Sequence, residues 1–153
     1  MRTLAPLHLP LATAGLALAV LYGACAAPAK ETAAAGPTPV ERGRYLVESA
    51  ALCGDCHTPR LQTGAPDLAR ALQGAPLGFA PSFPVPGWMP AAPGIAGGAT
   101  GWTDAQMVAF LETGKKPDGS DPHPPMPAYR FTHEDAAAVA AYLRSLPGPG
   151  GGS

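Results

Sequence analysis

The chain is poor in charged residues and has no surplus of positive charge. Only 14% of its 153 residues are Asp, Glu, Lys or Arg, whereas about 25% is usual for globular chains. Lys and Arg together number 10 against 11 for Asp and Glu, so the net charge is −1 at pH 7. A nucleic-acid-binding surface needs clustered basic residues, and this balance therefore predicts no nucleic-acid partner.

Cysteine is also scarce. Glycine and proline, in contrast, are abundant and interrupt the segments that could otherwise form long strands. Three cysteines are too few for a disulfide scaffold. The 19 glycines and 20 prolines make up about a quarter of the chain, roughly twice their average share. Because proline removes ladder donors and glycine weakens strand interiors, this composition argues against a sheet-rich fold and predicts long irregular segments.

The one long hydrophobic run lies at the amino end, where residues 3–29 carry no charge. Its apolar centre, residues 11–21, is followed by small residues, which is the pattern of an export signal. Three fates fit this pattern: cleavage at Ala24-Cys25-Ala26, lipidation of Cys25 in a lipoprotein-like box, or retention as a membrane anchor. Each predicts a folded part outside the cytoplasm, either soluble or tethered to the membrane.

Composition divides the chain into four parts. Residues 1–26 are predicted to be a signal peptide or lipoprotein leader, followed by a flexible Ala/Pro linker over residues 27–37. Residues 38–147 carry the patterns of a folded domain. The Gly-rich residues 148–153 are predicted to form a disordered tail.

Three helices are predicted in the folded part, and each begins after a threonine. Thr38 and Glu41 form a capping box, with proline at the first helical position between them. The second helix follows Thr103 and ends at Gly114, and the third follows Thr132.

A long irregular stretch separates the first predicted helix from the second. Residues 74–101 contain six prolines and seven glycines. A loop of this length without regular structure is uncommon in a compact domain unless it has a function. We therefore expect it to wrap around a large rigid ligand.

The motif Cys53-Gly54-Asp55-Cys56-His57 is the C-x-x-C-H pattern of c-type haem attachment. Two thiols on one helical turn reach the two vinyl groups of a porphyrin and form thioethers, and the adjacent imidazole is directed at the iron. The single motif therefore predicts one covalently bound haem c, held by Cys53 and Cys56, with His57 as the proximal iron ligand.

Two other kinds of site use similar cysteine spacing. A thioredoxin-type C-x-x-C is expected between a strand and a helix, whereas here the pair follows a predicted helix and precedes Thr58-Pro59. A zinc site needs four ligands. The third cysteine lies in the leader, and His123 and His133 are ten residues apart, so neither supplies the usual second pair.

The second ring nitrogen of His57 and the distal position of the iron each need a partner. A backbone carbonyl just downstream, with Pro59 the best candidate, is expected to accept a hydrogen bond from the ring N–H.

Met126 is favoured as distal ligand of the iron because the flanking prolines fix its backbone and leave little entropy to lose on ligation. The alternatives are Met89, His123, His133 and an open site.

These segments together resemble a class I cytochrome c domain over residues 39–146. The haem-binding half is similar at GRYL (43–46) and LCGDCHTPR (52–60), and the second half at TGWTD (100–104), PMP (125–127) and AYLRSL (141–146). The chain resembles in particular the cytochrome c domains in cytochrome subunits of bacterial periplasmic dehydrogenases. The resemblance implies an all-α class I cytochrome c fold, with three main helices and a long Gly/Pro-rich loop around one covalent haem.

The resemblance also implies roles for single residues. The distal methionine of the family corresponds to Met126, and the crossing of the first and last helices corresponds to Gly43 against Tyr142 or Leu143. A residue without Cβ lets two backbones approach closely there. The chain lacks the Asn-Ile-Thr element that the family often has in the long loop. Candidates for contacts with the haem edge or propionates are Arg60, Trp88, Trp102 and Tyr129.

An iron held by His and Met has no vacant position, and such a centre passes single electrons without binding a substrate. The sequence therefore predicts a periplasmic electron carrier rather than an enzyme, either free or as the cytochrome subunit of a dehydrogenase. Its predicted partners are a dehydrogenase or quinol-oxidising complex and an oxidase or another cytochrome. The alternative is a haem sensor or peroxidase-like protein with an open distal site.

The sequence has only one pair of adjacent basic residues, Lys115-Lys116. We therefore expect redox partners to dock without a ring of lysines, and electron-transfer rates to depend only weakly on salt concentration.

Overall fold

The computed structural model describes residues 36–148, and within them helices outweigh strands as predicted. The predicted leader (1–26), residues 27–35 of the linker and the tail beyond residue 148 lie outside the described residues. The elements in chain order are α1 (Pro39–Tyr45), a π-helical turn (Leu46–Ala50), α2 (Gly54–His57), a 3₁₀ turn (Leu68–Arg70), β1 (Ala75–Pro76), β2 (Ala91–Ala92), a second 3₁₀ turn (Ala96–Gly98), α3 (Asp104–Thr113) and α4 (His133–Ser145).

The three longer α-helices begin at the predicted threonines. The Thr38 hydroxyl accepts from the Glu41 N–H over 3.3 Å, and the Glu41 carboxylate accepts from the Thr38 N–H over 2.8 Å. Thr103 begins α3 with a box of the same kind, and Thr132 caps α4. Gly114 ends α3 in the left-handed conformation, at φ 67°. The predicted helix starts are therefore confirmed.

Helices α1 and α4 cross in direct backbone contact at Gly43. A Cβ atom added to Gly43 would overlap the carbonyl oxygen of Ala138 and lie 2.7 Å from the Cβ atom of Tyr142. The resemblance implied Tyr142 or Leu143 as the partner of Gly43. The structure has Tyr142 in this role and adds the backbone of Ala138.

Side-chain pairs secure this crossing. Arg42 donates two hydrogen bonds to the Asp135 carboxylate, with nitrogen–oxygen distances of 2.8 and 3.1 Å. The Tyr142 hydroxyl donates to the Glu48 carboxylate in the π-helical turn that continues α1. The segment leading into the C-x-x-C-H motif is thus fixed against α4.

We expect Gly43→Ala to lower the free energy of unfolding by about 1–3 kcal/mol, as overpacking does. The new methyl group would meet backbone atoms of α4, which cannot move aside as a flexible side chain would. Thermal unfolding followed by circular dichroism measures the change. Gly78→Ala is the matched control, because a Cβ atom there meets nothing within 4 Å. Equal midpoints for the two variants would contradict the prediction.

The Gly/Pro-rich stretch is fastened where it begins. The N–H of Gly74 donates to the His57 carbonyl over 2.8 Å, and β1 then pairs antiparallel with β2. Gly74 has φ 92°, and a Cβ atom there would lie 2.7 Å from the backbone nitrogen of Gly94, so glycine is required. The sequence does not predict this pairing, because two-residue strands of alanine and proline show no strand periodicity.

The apolar core lies among α1, the π-helical turn, α3 and α4. Several of its side chains also form the wall of the cavity described below. Within residues 36–148, no helix combines the length and the apolar character needed to cross a membrane. The main core side chains are Leu46, Val47, Phe110, Leu111, Val139 and Leu143.

Candidate haem site

The C-x-x-C-H motif occupies the short helix α2. Leu52 adopts φ 51°, a left-handed conformation that is uncommon for leucine, and Cys53 follows as the N-cap of α2. The His57 N–H donates to the Cys53 carbonyl over 3.0 Å, so one helical turn joins the two residues. Cys53, Cys56 and His57 all line one cavity. The structure therefore brings together the three residues that the motif predicts.

This cavity has a volume of about 450 Å³ and mostly apolar walls. Its volume lies within the range of small-molecule and cofactor sites. Phe110 and Val139 contribute from α3 and α4, and Met126 from the segment between these helices. Two thiols, an imidazole and a thioether around an apolar space are a donor set that fits a covalently held, iron-centred macrocycle.

His57 is the buried member of the motif, with 5% of its surface exposed. Its Nδ1 lies 2.7 Å from the carbonyl oxygen of Pro93. Because a carbonyl only accepts, Nδ1 carries the proton and Nε2 keeps its lone pair for a metal. Burial lowers the pKa of His57, and the hydrogen bond to Pro93 opposes this shift without cancelling it. The neutral ring needed for metal ligation is therefore favoured.

The carbonyl that accepts from His57 belongs to Pro93 and not, as the sequence predicts, to Pro59. The Pro59 carbonyl instead accepts from the N–H of Asp67 over 2.8 Å. Pro93 is 36 residues beyond His57 in sequence and reaches the ring because it directly follows β2, which pairs with β1. A contact created by this pairing leaves no signal near the motif.

Three of the four side chains considered for the distal position line the cavity. They are Met126, Met89 and His123. The fourth, His133, lies at the start of α4, where its Nδ1 is 3.0 Å from Oε1 of Glu112 and its side chain is 79% exposed. Met126 packs against the hydrophobic core, whereas Met89 is 44% exposed and His123 is also exposed. Burial therefore favours Met126.

Tyr129 connects the Met126 segment to the residues just before the motif. Its hydroxyl donates to the Ala51 carbonyl over 3.0 Å, and its ring stacks on Phe131 with centroids 5.2 Å apart. Burial raises the pKa of Tyr129 to about 12, so the hydroxyl stays protonated and keeps its donor role. The sequence predicts Tyr129 as a haem-edge or propionate contact and gives no sign of this link.

The other three haem-edge candidates differ in whether they line the cavity. Trp102 lines the cavity, as Tyr129 does, whereas Arg60 and Trp88 are not part of its wall. Arg60 is exposed and donates to a backbone carbonyl in the turn that follows it. Trp88 packs edge to face against Phe79.

We expect Tyr129→Phe to reduce the free energy of unfolding by about 1 kcal/mol, because the Ala51 carbonyl loses its hydroxyl donor. Guanidinium chloride unfolding of the haem-loaded protein measures this loss. Tyr45→Phe is the control, because Tyr45 is 55% exposed and surface changes stay within about 0.5 kcal/mol. A Tyr129→Phe variant as stable as the control would show that the link contributes nothing.

The alternative sites find no support in this geometry. Burial raises the pKa of the Cys53 thiol to about 11, whereas a redox-active C-x-x-C pair has a lowered thiol pKa. A structural zinc site needs four ligands. In the described part of the chain, no three His, Cys, Asp or Glu side chains are grouped so as to hold a metal ion.

Comparison with protein-family models gives the decisive observation. The model for the family Cytochrome c matches residues 40–147, from the second residue of α1 to beyond the end of α4. The chain belongs to the cytochrome c family. Its helical arrangement is the class I cytochrome c fold, and a cytochrome c domain implies covalently bound haem c and a role in electron transfer.

Curated relatives of this cytochrome c include subunits of dehydrogenases. It is 36% identical over 115 residues to the fructose dehydrogenase cytochrome subunit of Gluconobacter japonicus. It is 33% identical over 129 residues to the cytochrome c subunit of the quinone alcohol dehydrogenase of Gluconacetobacter polyoxogenes. It is 34% identical over 112 residues to a diheme cytochrome c-type protein of Cereibacter sphaeroides.

These relatives are longer than the region that they share with this cytochrome c. The alignments cover 69%, 76% and 70% of this chain but only 22%, 26% and 35% of the three relatives, in the order given above. The chain therefore spans between about a fifth and a third of the length of these curated relatives.

Proposed function

We propose that this cytochrome carries one haem c, attached through Cys53 and Cys56 and ligated by His57 and Met126, and that it transfers single electrons in the periplasm. The observation that supports this most directly is the shared cavity, because all four side chains line the same apolar space of about 450 Å³. When bound there, a haem with His and Met ligands supplies a one-electron couple whose potential the methionine raises.

The surrounding residues keep this site in one geometry. The Pro93 carbonyl fixes the orientation of the His57 ring and increases its basicity as a ligand. Proline on both sides of Met126 restricts the backbone there. The mostly apolar wall would limit access of water to a bound haem. A site in which His57 and Met126 both held the iron would suit electron transfer, which needs no substrate at the metal.

The electron donor that we propose is a periplasmic dehydrogenase, and the acceptor is an oxidase or another cytochrome. Similarity to the cytochrome subunits of a fructose dehydrogenase and a quinone alcohol dehydrogenase supports this class of donor. Residues 38–147 form the proposed haem domain. The proposed periplasmic location rests on the export pattern in residues 1–26, in which Cys25 is a candidate for lipidation.

Mass spectrometry and carbon monoxide binding test this proposal. The purified protein should carry the added mass of one haem under denaturing conditions, because thioethers survive unfolding. The ferrous protein at neutral pH should not bind carbon monoxide readily, since ligation by both His57 and Met126 would leave the iron no vacant position. Rapid carbon monoxide binding would overturn the proposed ligation and favour a haem sensor or a peroxidase-like protein.

A further inference from the structure

The segment between β1 and β2 exposes large apolar side chains. We refer to residues 77–89 as the aromatic loop. Within it, Phe79 is 54% exposed and Phe83 is 69% exposed, and neither side chain is part of the cavity wall. Phe79 packs edge to face on Trp88, with ring centroids 5.7 Å apart. Clustered large apolar side chains on the surface of a small protein indicate an interaction site.

The aromatic loop begins and ends at the cavity. Leu77 and Met89, its first and last residues, both line the cavity wall. The Leu77 N–H donates to the Pro90 carbonyl over 2.8 Å, which closes the base of the loop. The Met89 N–H donates to the Pro124 carbonyl over 2.8 Å, which joins the loop to the segment that carries Met126. A partner seated on this loop is therefore held beside the proposed haem.

Charge is absent from the aromatic loop and from the sequence on either side of it. No Asp, Glu, Lys or Arg occurs between Arg70 and Asp104. The cavity wall itself contains one carboxylate and one ammonium group, from Asp55 and Lys116. Neither sign of charge predominates in the loop or in the cavity wall, so burial of apolar surface is the attraction that this surface offers to a partner.

We propose that the aromatic loop is the docking surface for an electron-transfer partner, and that this partner is a redox protein with an apolar, uncharged docking face. The proposal rests on the proposed function, because docking beside the cavity permits electron transfer only if the cavity holds the proposed haem. Aromatic side chains and methionine are enriched in protein interfaces. A lipid surface fits less well, because residues 71–103 contain no Lys or Arg to attract anionic headgroups.

A second copy of the haem-loaded protein is the probe, because it presents the same apolar, uncharged face. In a mixture of ferrous and ferric protein, one copy loses an electron and another gains it, so the overall composition does not change. Line widths in nuclear magnetic resonance spectra report the rate constant of this self-exchange. Raising the salt concentration from about 50 mM to about 500 mM should change the wild-type rate constant less than about twofold.

We expect Phe79→Ser with Phe83→Ser to lower the self-exchange rate constant about tenfold. Phe83→Ser alone should give a smaller loss of the same kind. Leu68→Ser is the matched control and should leave the rate unchanged, because Leu68 is 77% exposed but lies on the first 3₁₀ turn and not in the cavity wall. The haem absorption spectrum and reduction potential of each variant should equal those of the wild type.

An unchanged rate in the double variant, or an equal loss in Leu68→Ser, overturns the docking proposal alone, because the haem spectrum then still supports the proposed function. A wild-type protein without covalent haem overturns both the docking proposal and the proposed function.

A second experiment measures sedimentation with vesicles of phosphatidylcholine and phosphatidylglycerol. The wild type and all variants have the same amino end in this experiment. We expect no difference between the wild type and the double variant. Vesicle binding that the double variant loses would assign the loop to a lipid surface instead.

Discussion

Met126→Ala is expected to leave the haem attached, because Cys53 and Cys56 are untouched, and to remove the far-red sulfur-to-iron absorption band of the ferric protein. The reduction potential should fall by on the order of 100 mV, since a methionine ligand raises the potential of a haem iron. The open axial position should then bind carbon monoxide in the ferrous form and cyanide in the ferric form. Absorption spectroscopy and a redox titration measure these changes.

Met89→Ala is the control for this experiment, and it should change the band and the potential little. Both methionines line the cavity, but Met126 packs against the hydrophobic core whereas Met89 is 44% exposed. His123→Ala serves as a second control for the same reason. If Met89→Ala abolishes the band and Met126→Ala keeps it, the aromatic loop supplies the ligand and our assignment is wrong.

Removal of both proposed attachment thiols should have the largest effect on folding. Cys53→Ala with Cys56→Ala is expected to give a largely unfolded or molten chain that lacks a cooperative thermal transition. Without a covalently held haem, the side chains that line the cavity of about 450 Å³ lose the group that would cover their apolar surface. This loss is serious because the whole stability of a typical domain is only about 5–15 kcal/mol.

The cost of ordering the Gly/Pro-rich stretch adds to this effect, because fixing each residue takes roughly 1–2 kcal/mol of backbone entropy. Circular dichroism during heating measures the outcome, together with near-ultraviolet signals that report fixed tertiary packing. Cys25→Ala is the control, since its thiol lies in the predicted leader and the attachment motif is intact. A sharp, cooperative transition in the double variant would show that the domain folds without its covalent cofactor.

Local signals made the helix starts and the attachment motif predictable. The Thr38 cap depends on a glutamate three residues away, and α3 is bounded in the same local way by Thr103 and Gly114. The C-x-x-C-H pattern is also complete within five residues. Where the interacting groups lie within one or two turns, the sequence contains the whole interaction.

Contacts between distant segments were not predictable. The Pro93 carbonyl reaches His57 across 36 residues, and the Tyr129 hydroxyl reaches Ala51 across 78. Each depends on the path of a loop that lacks hydrophobic periodicity. The left-handed φ of Leu52 was not predictable from the sequence either, because leucine itself disfavours that conformation and only the surrounding structure imposes it. The contacts inside the site therefore depend on the fold, whereas the side chains that we propose as ligands are predicted from the sequence.

The pair of hydrogen bonds between Arg42 and Asp135 gives the helix crossing a defined response to acid. These bonds lower the pKa of Asp135, so the folded protein binds that proton less readily than the unfolded chain does. Their contribution to stability is therefore complete above the carboxyl pKa of the unfolded chain, about 3.9. It is lost as the pH falls through the lower value of the folded state. The contact that supports the C-x-x-C-H segment thus keeps its strength above the carboxyl pKa of the unfolded chain and weakens only below it.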